Sequence, residues 1–297
     1  MVEMSTPTPN QARVLKAVHH AAARTARLLD ARKIHWEHLG LIPPASWYES
    51  FHGHRRLRAE LERVAAAGGV PQEWIDHIRE RGSQGRYWSR NFNLPPAGLV
   101  DREQLLSDVN LDIRQLRDMA AVNAIYAHRA KQFEPATAAM FDRNIQSIWH
   151  RTVAITQLLE VTAAEAAQLW SIDMPWAADI VARLAGTELD VVRTRWREYA
   201  HFDTESYALQ AATLETAGIS ARTAHIVAPT PRHMVEQIRA AAITTVEVLN
   251  QARGAEITAA VDAVLPEGPS GGYYAETAAG RGDQQTAQPH HDIASSL

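Results

Sequence analysis

Two neighbouring stretches of the chain space their apolar residues with unusual regularity. They are DREQLLSDVNLDIRQLRDMAAVNAIYAHRAKQ at residues 101–132 and ATAAMFDRNIQSIWHRTVAITQLLEVTAAEAAQL at residues 136–169. Apolar positions that recur at alternating steps of four and three residues lie on one face of an α-helix. Two long helices joined by a short connection pack antiparallel. We therefore predict a central antiparallel helical hairpin, whose buried stripe comprises Leu105, Val109, Leu116, Phe141, Ile145, Ile148 and Ile155.

The rest of the chain also favours helices. Alanine, the best helix former, is abundant, and no segment of useful length alternates apolar and polar residues as a strand does. Before the hairpin we predict an N-terminal helical module over residues 1–98, with helices at 11–37, 55–67 and 71–81. After it, a C-terminal bundle of short helices lies near 176–185, 188–200, 204–217, 220–228, 231–252 and 255–264. Hairpin and bundle together span residues 99–265, so the predicted fold is all-α.

The end of the chain has a different composition. Residues 266–297 contain five glycines and three prolines, and Ile293 and Leu297 are their only aliphatic residues beyond alanine. Such a segment cannot bury enough apolar surface to offset the entropy lost on ordering. We predict that this C-terminal tail is disordered.

Composition limits the function. The formal net charge is −4, without the basic excess of a strong nucleic-acid binder, although residues 51–90 hold eight arginines against five acidic residues. Cysteine is absent, which excludes disulfides, thiolate zinc sites and cysteine nucleophiles. The N-terminus is polar and no apolar run approaches the roughly 18 residues of a membrane span. We expect a cytoplasmic protein without a membrane partner.

Residues 61–79 have the spacing of a helix-turn-helix. This motif needs a small residue where its helices touch, a glycine four positions later and an aliphatic residue directly after the glycine. Apolar residues five and eight positions further on seat the second helix. Ala65, Gly69, Val70, Ile75 and Ile78 occupy these positions in order, and the tight crossing explains the small residues. The segment resembles the helix-turn-helix of bacterial transcription factors, although an ordinary pair of short helices would give the same pattern.

The resemblance implies that the second helix presents polar side chains to DNA and that the arginines after it meet phosphates. A weaker copy of the pattern at residues 217–227 adds one arginine. The predicted DNA-binding residues are Gln72, Glu73, Asp76, His77, Arg79, Arg81, Arg86, Arg90 and Arg222. The carboxylates of Glu73 and Asp76 count against DNA because they repel phosphates, but a glutamate can also accept a hydrogen bond from cytosine.

We expect a DNA-binding protein whose partner is double-stranded DNA, such as a regulator or accessory factor of a bacterial or phage genetic element. The alternative is a non-catalytic helical scaffold or assembly protein that binds itself or another helical protein through the hairpin stripe. No phosphate-cradling glycine loop, nucleophile elbow or recognisable pair of carboxylates is present. The histidine pairs at 35 and 38 and at 52 and 54 lack the spacing of a zinc site. We expect no catalysis, metal or cofactor.

Overall fold

The computed structural model describes residues 6–89, 93–130, 134–171, 174–223 and 228–241, and these ranges contain helices and no β-strand. The predicted all-α fold is confirmed. The helices are α1 (Pro9–His35), α2 (Ala45–Ala67), α3 (Gln72–Ser83), α4 (Arg102–Arg129), α5 (Pro135–Leu158), α6 (Ala163–Trp170), α7 (Met174–Ala185), α8 (Leu189–His201), α9 (Glu205–Thr216) and α10 (231–241). The predicted tail at 266–297 and the predicted helix at 255–264 lie outside the described residues.

Helices α4 and α5 run antiparallel. Near one end of the pair, the Arg102 guanidinium donates to the Leu159 carbonyl oxygen at 2.8 Å. In the middle, Arg151 pairs with Asp112, and at the other end only residues 130–134 separate the two helices. The predicted stripe is buried except at its first member, Leu105, which is partly exposed.

The second helix of the hairpin ends earlier than the sequence predicts. Helix α5 stops at Leu158, and Glu160 adopts a left-handed backbone conformation with φ of 49°. The amide of Val161 then donates to the Thr156 carbonyl at 3.1 Å, which closes the helix end. A capping box formed by Thr162 and Glu165 starts α6. The prediction of one helix over 136–169 is therefore wrong.

The other helices pack around this hairpin. Helices α8 and α9 cover it from the C-terminal half, while α1 packs against α2 and α3, and α2 meets α9. The buried Asn144 of α5 fixes α8, because its amide nitrogen lies 2.9 Å from the carbonyl oxygens of Tyr199, Ala200 and Phe202. These contacts satisfy carbonyls that the end of a helix leaves unpaired. One core of buried residues extends from Val14 to Ile238 and crosses the predicted boundary at residue 98.

Two other boundaries differ from the predictions. Helix α2 begins at Ala45, ten residues before the predicted start at 55. Its first turns are held by Trp47, which is buried and stacks on Phe51 one turn later, with ring centroids 5.0 Å apart. In the segment predicted as a helix at 220–228, the described part forms a single 3₁₀ turn at Ala221–Thr223.

A cationic helix face beside the predicted helix-turn-helix

The turn between α2 and α3 has the geometry that the helix-turn-helix spacing requires. Gly69 adopts a left-handed conformation with φ of 76°. Its amide donates to the Ala66 carbonyl and the amide of Val70 donates to the Ala65 carbonyl, both at 3.0 Å, a pairing that terminates α2. Ala65 and Val70 are buried at the junction, and Ile75 and Ile78 seat α3 in the core (both 0% exposed).

The start of α3 is occupied by the chain itself. The backbone amide of Gly98 donates to the Glu73 carboxylate at 3.1 Å, and the Trp74 indole donates to the Pro95 carbonyl at 2.9 Å. Gln72 is exposed and donates to the Asp76 carboxylate at 3.0 Å. In a DNA-binding helix-turn-helix, these first residues of the second helix approach the bases. Here two of them hold the segment that precedes α4.

One cation of α3 is neutralised by two carboxylates. Arg79 pairs with Asp76 at 2.8 Å and with Glu62 of α2 at 3.3 Å. His77 and Arg81 are half-buried. Among the other predicted arginines, Arg222 pairs with Glu215.

Arg86 is exposed and forms no ion pair within the described part of the chain, whereas Arg90 lies outside that part. The predicted DNA-binding residues between 72 and 81 therefore lie together on α3. Few of the predicted charged side chains, however, are free to contact DNA.

The sequence interpretation missed a row of basic residues on α1. Its members are Arg13, Lys16, His20, Arg24 and Arg27, spaced by three, four, four and three residues and all exposed. Helix α1 contains no acidic residue before Asp30. Within the described residues, none of the three arginines or the lysine lies in ion-pair distance of a carboxylate. We call this surface the α1 face. The sequence alone indicates this surface, because its basic residues recur at helical spacing with no acidic residue among them.

The α1 face borders a groove between α1, α2 and α9, with a volume of about 580 Å³. Arg13, Lys16, His20 and Arg24 line one side, and Thr213 and Thr216 of α9 line the other. The apolar surface between them comes from Ala17 and Ala21 of α1 and Leu57 and Leu61 of α2. His54 and Ala217 also line the groove, and the described lining residues include no carboxylate. The groove is therefore cationic on one side and apolar at its base.

The electrostatics of the groove affect His20. Partial burial of the imidazole lowers its pKa, and the nearby positive charges of Lys16 and Arg27 lower the pKa further. Near pH 7 the ring is therefore predominantly neutral and offers one donor and one acceptor nitrogen. An anion bound at the α1 face would favour the protonated ring, because an opposite charge raises the pKa of a histidine.

A second polar cluster lies inside the helical layers. Asp112 pairs with Arg151, whose guanidinium also donates to Gln210 at 2.5 Å, and Gln210 donates in turn to the buried Glu60 at 2.7 Å. Burial raises the pKa of Asp112, and Arg151 opposes that shift. The cluster links α2, α4, α5 and α9 through groups that already satisfy one another. The cluster therefore stabilises the packing between these four helices.

No protein-family model, no curated protein and no solved structure matches this chain. In the part of the chain that the structure describes, no helix is both long enough and apolar enough to cross a membrane. The same residues contain no cluster of three or more histidines and carboxylates placed to hold a metal ion.

Proposed function

We propose that this protein binds nucleic acid and that the α1 face contacts the phosphate backbone. The observation that carries the proposal is the row of exposed cations on α1, which have no acidic partner among the described residues. From Arg13 to Arg27 the row extends over about 21 Å, at 1.5 Å per residue. Successive phosphates of one duplex strand rise by about 3.4 Å along the axis, so the row is long enough to reach several phosphates.

The helix-turn-helix gives this proposal weaker support. The ion pairs of Arg79 and the contact between Glu73 and Gly98 engage the side chains that would approach DNA. Arg86 remains exposed and extends the set of available cations. A role as a regulator or accessory factor of a bacterial or phage genetic element stays a prediction, because phosphate contacts carry no sequence information. The proposal keeps the expected cytoplasmic location, and double-stranded DNA is the partner to test first.

The alternative of a scaffold that uses the hairpin stripe has less support. Val109, Leu116, Phe141 and Ile148 are each no more than 4% exposed because α4 and α5 pack on each other and against α8 and α9. A partner helix would have to displace this packing before it met the stripe.

The test is a salt titration of binding to a labelled DNA duplex by fluorescence anisotropy. If four cations of the α1 face neutralise phosphates, the slope of log K against log salt should be about −3.6. The double variant Lys16→Ala/Arg24→Ala should make that slope shallower by about 1.8.

The double variant Arg79→Ala/Arg86→Ala is the control for the helix-turn-helix. If this variant weakens binding strongly and the α1 variant has no effect, then α3 and the loop after it, and not α1, contact the DNA. Absence of any salt-sensitive affinity at low ionic strength would overturn the proposal.

A further inference from the structure

The groove beside the α1 face has the size of a ligand site. Its volume of about 580 Å³ falls within the range of roughly 300–1,000 Å³ found for small-molecule pockets. Phosphate contacts alone need only the exposed cations and leave the groove unexplained. The partly exposed apolar side chains of the groove, among them Ala17 and Leu57, would remain in contact with water if a polyanion lay only on the α1 face.

The polar groups around the groove favour a particular chemistry. The Thr213 hydroxyl donates to the Gln210 carbonyl at 2.8 Å, and the Thr216 hydroxyl donates to the Ala212 carbonyl at 2.9 Å. Because each hydroxyl carries one proton, both oxygens can only accept hydrogen bonds from a ligand. The side facing them supplies positive charge through Arg13 and Lys16. A suitable ligand has N–H donors, an apolar planar body and a nearby anion.

We infer that the groove takes an unpaired base of a bound strand, so that the protein prefers single-stranded to double-stranded nucleic acid. The inference rests on the proposed nucleic-acid binding by the α1 face. The base lies on the apolar surface of Ala17, Ala21 and Leu57, its amino or imino groups donate to the threonine oxygens, and the adjoining phosphates lie on the cations. A base in a duplex reaches the groove only after it is unstacked and unpaired, which has an energetic cost.

An acidic peptide would satisfy the same cations. It would, however, place flexible carboxylate side chains and no flat apolar group against the base of the groove. A planar base can bury one apolar face against these aliphatic side chains, which strengthens binding. The groove therefore favours a nucleic-acid strand over a polypeptide of equal charge.

The experiment compares a fluorescein-labelled strand with the same strand annealed to its complement, using the full chain at one ionic strength. The strand should bind at least about fivefold more tightly than the duplex, the gain expected from burying roughly 40 Å² of apolar surface. Ala17→Phe fills the groove and should bring the two affinities together while leaving the affinity for duplex unchanged. Lys16→Ala should weaken the binding of both.

Further measurements serve as controls. Thermal melting checks that Ala17→Phe is folded, and Thr216→Val is a second variant that removes one acceptor with little change in shape. This variant should lower the affinity for the single strand and leave the affinity for the duplex unchanged. Polyglutamate of equal charge should compete less well than unlabelled strand.

Equal affinities for strand and duplex would overturn this inference and leave the proposed function standing, as would equal competition by polyglutamate. An equal loss of both affinities in a folded Ala17→Phe protein would overturn the inference in the same way. Failure of both nucleic acids to bind in a salt-sensitive manner would overturn both proposals.

Discussion

Gly82 lies where α3 crosses α1, and the crossing leaves no space for a side chain. A Cβ atom at this position would lie 2.5 Å from the His19 carbonyl oxygen and 3.0 Å from the Cβ atom of Ala22. A backbone carbonyl cannot rotate away, so Gly82→Ala must push the helices apart. We expect Gly82→Ala to lower the free energy of unfolding by about 1–3 kcal/mol, the usual penalty for overpacking. Urea denaturation measures the change.

Gly53 is the matched control, since it also lies inside a helix. A Cβ atom there would have no neighbour within 4 Å, and alanine restricts the unfolded chain more than glycine does. Gly53→Ala should therefore raise the free energy of unfolding by about 0.5–1 kcal/mol. Shifts of the same sign in the two variants would contradict the tight contact between α1 and α3.

His19 makes folding depend on pH. The side chain is 3% exposed, and burial lowers the pKa of its imidazole despite a hydrogen bond to the backbone of Arg86. Its neighbours His20 and Arg81 lower the pKa further. Below pH 6.5 the unfolded state takes up the proton first, so the free energy of unfolding falls until the pH reaches the folded pKa.

One histidine contributes at most about 1.4 kcal/mol per pH unit to this dependence. Urea denaturation at pH 7.5, 6.5 and 5.5 should show a flatter pH dependence for His19→Gln than for the original chain. His20 and His150 shift in the same direction, so part of the dependence should remain. Identical slopes for the two proteins would show that His19 does not titrate differently on folding.

At the level of the elements, the hairpin was predictable because its apolar spacing is periodic and local. The early end of α5 was not, because a left-handed Glu160 closes the helix where glycine would ordinarily mark the end. The start of α2 was missed because an aromatic pair, Trp47 and Phe51, stabilises its first turns. The turn at Gly69 was predicted correctly from residue spacing alone.

The hairpin register can be tested at Phe141. This side chain is 1% exposed, and its ring stacks on Trp196 of α8 with centroids 5.7 Å apart. Phe141→Ala leaves a cavity between α5 and α8 and should lower the free energy of unfolding by about 3–5 kcal/mol. Met140→Ala, which alters a partly exposed neighbour, should have a smaller effect. A melting temperature unchanged by Phe141→Ala would contradict the register.

At the scale of the whole molecule, the candidate site depends on residues far apart in the sequence. The cations of α1 form a periodic pattern that a local search can find. The groove requires Thr213 and Thr216 of α9 to pack beside α1 and α2, and no local pattern specifies that contact. A charge count over residues 51–90 located arginines, but it could not show that Glu62 and Asp76 neutralise Arg79.

The distribution of charge over the molecule leads to the last prediction. The formal net charge is −4, so attraction to a polyanion must come from one surface and not from the total. Lys16→Ala/Arg24→Ala and Arg193→Ala/Arg232→Ala each remove two positive charges, but the second pair removes cations already paired with Asp190 and Glu236. In binding to a DNA duplex at about 0.1 M salt, the first variant should lose affinity by roughly tenfold or more. The second should bind nearly as well as the original chain, since its cations are already paired with carboxylates on α8 and α10. Equal losses in the two variants would mean that net charge governs binding and that the α1 face has no special role.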